Sequence, residues 1–166
     1  MSIFKKITSN ESPDVPEQID PEANTHELLT NCLQELGCHF EQDGDVFNAI
    51  YQGENMLILS VKDSRLALIR DLWWHSVSTD DLTALSLMRR AINTCNMNDR
   101  ATLFYTIDEE NHTMGIHSQM EIVFTKEIPE LTSLLRFAFD NLLHSHLSFY
   151  KTIEDLRQEE YSKNNT

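Results

Sequence analysis

The residues with chemistry to offer are two pairs of carboxylates, a set of histidines and a pair of arginines. Glu109 and Glu110 precede His112, and His117 follows. A metal held by nitrogen and oxygen needs about three or four such ligands. A hairpin that brought His112 and His117 together with Glu109 or Glu110 would make a metal-dependent or acid–base centre. The plainer account is a polar turn with solvated side chains. Asp80 and Asp81 form a second acidic pair, which the positive end of a helix dipole explains. His144 and His146 make an HxH pair. Inside a helix that spacing places them about 200° apart, so one metal cannot take both. Arg89 and Arg90 suit an anion, or pairing with nearby acids on a helix surface. The chain has no G-x-S-x-G, no phosphate-binding P-loop, no H-E-x-x-H and no G-x-G-x-x-G. Its 4 glycines are too scattered to build a phosphate cradle. No catalytic residue, metal or cofactor is expected on these grounds.

The two tryptophans raise a different question. Trp73 and Trp74 are adjacent in "DLWWHSVSTDDL", and neighbours on a strand point to opposite faces. One reading puts Trp74 in the core beside Leu66, Leu68 and Leu72, with Trp73 covered on the other face. The second leaves one indole exposed as an anchor for a partner, a role in which tryptophan is favoured.

These residues need elements to position them. Residues 1–19 mix acids, serines and two prolines and read as a flexible leader. Asp20-Pro21-Glu22 reads as a helix start. Leu28, Leu29, Cys32, Leu33 and Leu36 follow at helical spacing, and Gly37 is a natural stop. The period then drops to two. Turn signals at Asp43-Gly44, Gly53-Glu54 and Asp63-Ser64 divide a meander of about four strands. A second helix covers "STDDLTALSLMRRAIN", capped by Ser78 or Thr79, with Asp80 and Asp81 in its first turn. Two strands follow around a polar turn at Glu110-Asn111-His112. Pro129 opens a last helix that runs to about residue 160.

On that helix Leu131, Leu134, Leu135, Ala138, Leu142, Phe149, Ile153 and Leu156 form one stripe. Phe139, Leu143, Leu147 and Tyr150 widen it beyond what one sheet face needs. The surplus implies another helix or another subunit. Phe137 lies off the stripe. The expected fold class is α+β. An antiparallel sheet of about five to six strands packs with an N-terminal, a middle and a long C-terminal helix in one domain over 20–161, and 162–166 form a flexible tail.

Composition narrows the partners. The 166 residues are 40% hydrophobic, enough for a core, and carry a net charge of −14. Nucleic acid and anionic membrane surfaces are disfavoured, because both are held through clustered Lys and Arg. No apolar run reaches the roughly 20 residues of a membrane span. Three cysteines without a CxxC spacing point to reduced thiols. A cytoplasmic protein is expected.

Two longer stretches carry a family likeness. "ELLTNCLQELGCHFEQDGDVFNAIYQGENMLI" resembles the opening of YbjN-like proteins: a leucine-rich helix, a glycine stop, then a meander. "INTCNMNDRATLFYTIDEENHTMGIHSQ" resembles their later helix-to-hairpin segment. The likeness spans about residues 25 to 160. It implies a fold similar to type III secretion chaperones, an α+β domain that commonly dimerises and binds protein segments. Members are described as regulators of sensory transduction, and the resemblance brings no catalytic residues. The expected function is a non-enzymatic protein-interaction domain, chaperone-like or regulatory, acting as a homodimer. It would bind a partner polypeptide through apolar surface at Trp73, Trp74, Phe137, Phe139 and Leu143. A cap for a basic partner is a weaker variant. The alternative is a small-ligand or metal-dependent enzyme built on the 109–117 hairpin.

Overall fold

The computed structural model describes residues 25–61 and 64–164. The leader over 1–19, the helix start at Asp20-Pro21 and the Asp63 turn signal lie outside the described residues. The elements run α1 (Thr25–Glu35), β1 (His39–Asp43), β2 (Val46–Tyr51), β3 (Glu54–Leu59), β4 (Leu66–Ser78), α2 (Leu82–Asn98), β5 (Thr102–Asp108), β6 (Thr113–Val123) and α3 (Leu131–Asn164). The strands form one six-stranded sheet in the order β1-β2-β3-β4-β6-β5, antiparallel throughout. The fold class is the α+β arrangement read from the sequence.

Local signals account for most boundaries. Gly37 sits at φ 70°, and its N–H and that of Cys38 close back onto the carbonyls of Gln34 and Leu33, each at 2.9 Å. That is the left-handed cap for which glycine is suited. The cap of α2 is Asp81, whose carboxylate accepts from the Ala84 N–H at 2.9 Å. Ser78 and Thr79, expected in that role, belong to the end of β4 and the turn after it. Pro129 does not open α3. The helix begins at Leu131, after Glu130 at φ 58°. It runs on to Asn164, past residue 160, so residues 162–164 continue it.

All three helices cover one face of the sheet. The inward residues of β2, β3 and β4 are Phe47 and Ala49, Met56 and Ile58, Ala67 and Ile69, each at most 1% exposed. The face of β4 expected in the core, Leu66, Leu68 and Leu72, is therefore the outward one. Leu66 is 44% and Leu72 40% exposed. Small Ala67 and acidic Asp71 made the true inner face look the poorer candidate, yet a small residue lets a helix approach closely.

The core has two apolar clusters. One joins α1, β2, β3 and the first half of α3 around Phe47, Phe124 and Phe139. The other joins α2, β5 and the second half of α3 around Leu103, Ile116 and Phe149. Between them lies a polar level. Asp71 follows Ile69 on β4, Ser118 separates Ile116 from Met120 on β6, and Ser145 and His146 separate Leu142 from Phe149 on α3. Because α1 and α2 flank α3, the helix layer hides most of its wide apolar arc. Leu147 remains 70% exposed.

Candidate functional site

The two tryptophans occupy a break in the β4–β6 ladder. Asp71 pairs with Ser118 and His75 with Ile116, so Leu72, Trp73 and Trp74 together face His117 alone. Two extra residues are thus inserted into β4, a bulge of the kind that re-aims side chains. Trp73 absorbs it at φ 59°, a left-handed conformation costly for a bulky residue. The excursion sends Trp73 to the outer face and Trp74 to the helix side, the reverse of the strict alternation on either side.

On the outer face Trp73 is 48% exposed. Its indole lies over Gly115: a Cβ there would stand 2.2 Å from ring carbons Cε3 and Cζ3. Its backbone N–H donates to Nδ1 of His117 at 3.0 Å, and its ring meets the imidazole edge-on at 5.3 Å. His117 is otherwise enclosed by Phe104, at 4.9 Å between ring centroids, and Thr106, whose Oγ1 is 2.7 Å from Nε2. Burial, then the positive charge of Arg70, holds the His117 pKa below its ordinary value. Arg70 lies over the Phe104 ring and donates to Gln119 at 3.2 Å. On the same face Leu72 and, two strands away on β2, Ile50 are at least 40% exposed, while exposed Leu66 and Val123 lie at the far end of the sheet, beyond the Arg70–Gln119 and Leu68–Glu121 pairs.

On the inner side Trp74 stacks on His146, at 4.1 Å and 23°, and meets Phe149 edge-on. His146 Nε2 lies 3.4 Å from Oδ2 of Asp71. These two atoms and Trp74 Nε1 are buried without a hydrogen bond. Burial, helped by Glu54, pushes the Asp71 carboxyl up to about 7, while burial holds His146 down to about 4. At pH values between those two the pair carries a single proton. His75 and Tyr150 close the same side, with Nδ1 and Oη 3.3 Å apart.

The other expected site residues scatter. Phe137 is 41% exposed and lies beneath the Arg100 guanidinium. Leu143 is partly buried against the first cluster. Phe139 is fully buried and packs on Tyr51 at 4.9 Å, so it belongs to the core and offers a partner nothing. The hairpin does not bring its histidines together. His117 is buried under Trp73, whereas exposed His112 lies at the turn, five residues back or roughly 15 Å along a strand. Its Nδ1 lies 3.9 Å from Oδ1 of Asp80. Among the described residues no three His, Cys, Asp or Glu side chains are placed to hold one metal ion. His144 is exposed and His146 faces inward, as the helical spacing requires. The sequence reading missed Asp71, Phe104 and Gly115, and it offered His117 only as a hairpin ligand, not as the support of Trp73. A lone glycine opposite a double tryptophan was the available signal.

No protein-family model matches the chain, and no curated protein is significantly similar to it. Solved structures do match. An uncharacterized protein from Methanothermobacter thermautotrophicus has a TM-score of 0.57 at 16% identity, over 79% of this chain and 97% of that one. YbjN from E. coli, provisionally described as a transcription regulator, has a TM-score of 0.51 at 11% identity, over 81% of this chain and 93% of its own. At these identities the likeness is one of fold, and the fold is YbjN-like. Among the described residues no helix is long and apolar enough to cross a membrane.

Proposed function

We propose that this chain is a non-enzymatic protein-interaction domain, chaperone-like or regulatory, that receives a partner polypeptide on its open sheet face with Trp73 as the anchor. The observation that carries the reading is Trp73 itself. A half-exposed indole is held by a left-handed backbone, a buried histidine and a glycine that leaves room for it. Strain of about 1–3 kcal/mol is retained where something depends on the geometry. Large aromatic anchors set among apolar neighbours are the usual centre of a protein interface. The provisional description of YbjN supports the regulatory half of the proposal. Acidic residues of the strongly negative chain would set orientation and solubility. Two buried thiols and one partly buried thiol, all unpaired, suit a reducing, cytoplasmic setting.

Trp74 supports the site from behind by fixing the bulge onto α3. Phe137 enters the proposal separately, as a homodimer contact on the exposed side of α3, whereas Leu143, about 120° around the helix and partly buried against the first cluster, would serve only at its edge. The test is sedimentation of the purified chain, with capture of partners from lysate at low and high salt. Trp73→Ala should abolish partner capture while leaving the far-ultraviolet dichroism spectrum unchanged. Phe137→Ala should shift the monomer–dimer balance toward monomer. Partner capture that survives loss of the indole would end the surface assignment, and an unchanged dimer would remove Phe137 from the contact.

A further inference from the structure

We infer that His117 is a proton-operated latch on the Trp73 bulge: neutral His117 holds the indole in place, and its protonation releases it. The geometry fixes the tautomer. Nδ1 lies 3.0 Å from the Trp73 backbone nitrogen, whose N–H can only donate, so Nδ1 must be unprotonated. The ring proton is then on Nε2 and is donated to Thr106 Oγ1 at 2.7 Å. A second proton has one place to go, Nδ1, where it would face the Trp73 N–H donor to donor. The hydrogen bond that holds the bulge would then be lost. Trp73 already sits in the left-handed region; beside this hydrogen bond, what holds it is the contact of its ring with Gly115 and the imidazole and the packing of Trp74 on α3 behind it.

The surroundings set the sign. From β4 the charged neighbour is Arg70, from β5 come Phe104 and Thr106, and beside His117 on the outward face of β6 stand Gly115 and Gln119. Burial and Arg70 both oppose the imidazolium. The latch therefore stays shut at neutral pH and opens on acidification, with a midpoint below the ordinary histidine value of 6.5. Any consequence for partner capture rests on the surface reading above. The latch itself is read without a partner, so either can fail alone.

The experiment uses the full chain with Trp74→Phe, which leaves Trp73 as its single tryptophan. Acrylamide quenching and emission are followed as the pH falls from neutral into the acid range, with far-ultraviolet dichroism confirming that the fold persists. The quenching constant should rise by about two-fold, the ratio of full exposure to the present 48%. His117→Asn should flatten the transition, and His146→Gln should leave it. In the wild-type chain, nitrogen chemical shifts should show the Nε2–H tautomer of His117 at neutral pH. A transition that persists in His117→Asn, a flat wild-type profile while His117 titrates, or the Nδ1–H tautomer would each overturn the latch.

Discussion

Substituting Asp71 and His146 one at a time should tilt the pH dependence of stability in opposite directions. Between about pH 4 and 6.5 the native pair holds one proton, because Asp71 is pushed up to about 7 and His146 held down to about 4. The unfolded pair also holds one, on the histidine, whose ordinary 6.5 lies above the aspartate's 3.8. Equal proton counts give no slope. Asp71→Asn leaves a buried histidine that binds its proton only when unfolded, so stability should fall as the pH drops from 6.5 toward 4. His146→Gln leaves a buried acid that binds its proton only when folded, so stability should fall as the pH rises from 4 toward 7. Each slope has a ceiling of about 1.4 kcal/mol per pH unit. The side chains are only 3% and 12% exposed, so solvent screening takes little from that ceiling. The same signs follow wherever the shared proton resides. Urea unfolding across roughly pH 4 to 7.5, with each variant referred to the wild type, measures the effect. Two variants that tilt the same way, or that stay parallel to the wild type, would refute the opposite burial shifts of the two groups.

Gly115→Ala tests the indole's seat. The new methyl would overlap the Trp73 ring, and overpacking of this kind costs about 1–3 kcal/mol. With Trp73→Ala already present, the same change should be neutral or stabilise by about 0.5 kcal/mol, as expected for Gly to Ala in a strand. A double-mutant cycle without that interaction would disprove the contact. Phe139→Ala should cost about 3–5 kcal/mol in chemical unfolding, whereas Phe137→Ala should stay within about 1 kcal/mol. A reversed order would mean that the two phenylalanines have been placed on the wrong sides of α3.

The element order was legible because its signals are local. The Gly37 stop, the Gly44 and Gly53 turns and the leucine spacing of α1 all act within a few residues. The faces of β4 were not legible, since Leu66, Leu68 and Leu72 outrank Ala67 and Asp71 in hydrophobicity, and only packing by α3 decides between them. The bulge was hidden for the same reason. Period-two counting holds on both sides of Trp73-Trp74, because an insertion of two residues leaves the parity of His75 and Val77 intact. Phe139 and Leu147 looked alike on a helical wheel. Only the third dimension separates them, with α1 and β2 beside one and water beside the other.

The band of Asp71, Ser118, Ser145 and His146 divides the interior into two hydrophobic centres. Helix α1 and strands β2 and β3 serve only the first, while α2 and β5 serve only the second. What obliges the two to melt together is three continuous spans, β4, β6 and α3, that cross the band like ties across a joint. The double tryptophan sits on one of these ties, so a perturbation at the outer sheet face is transmitted to the mechanical link between the halves.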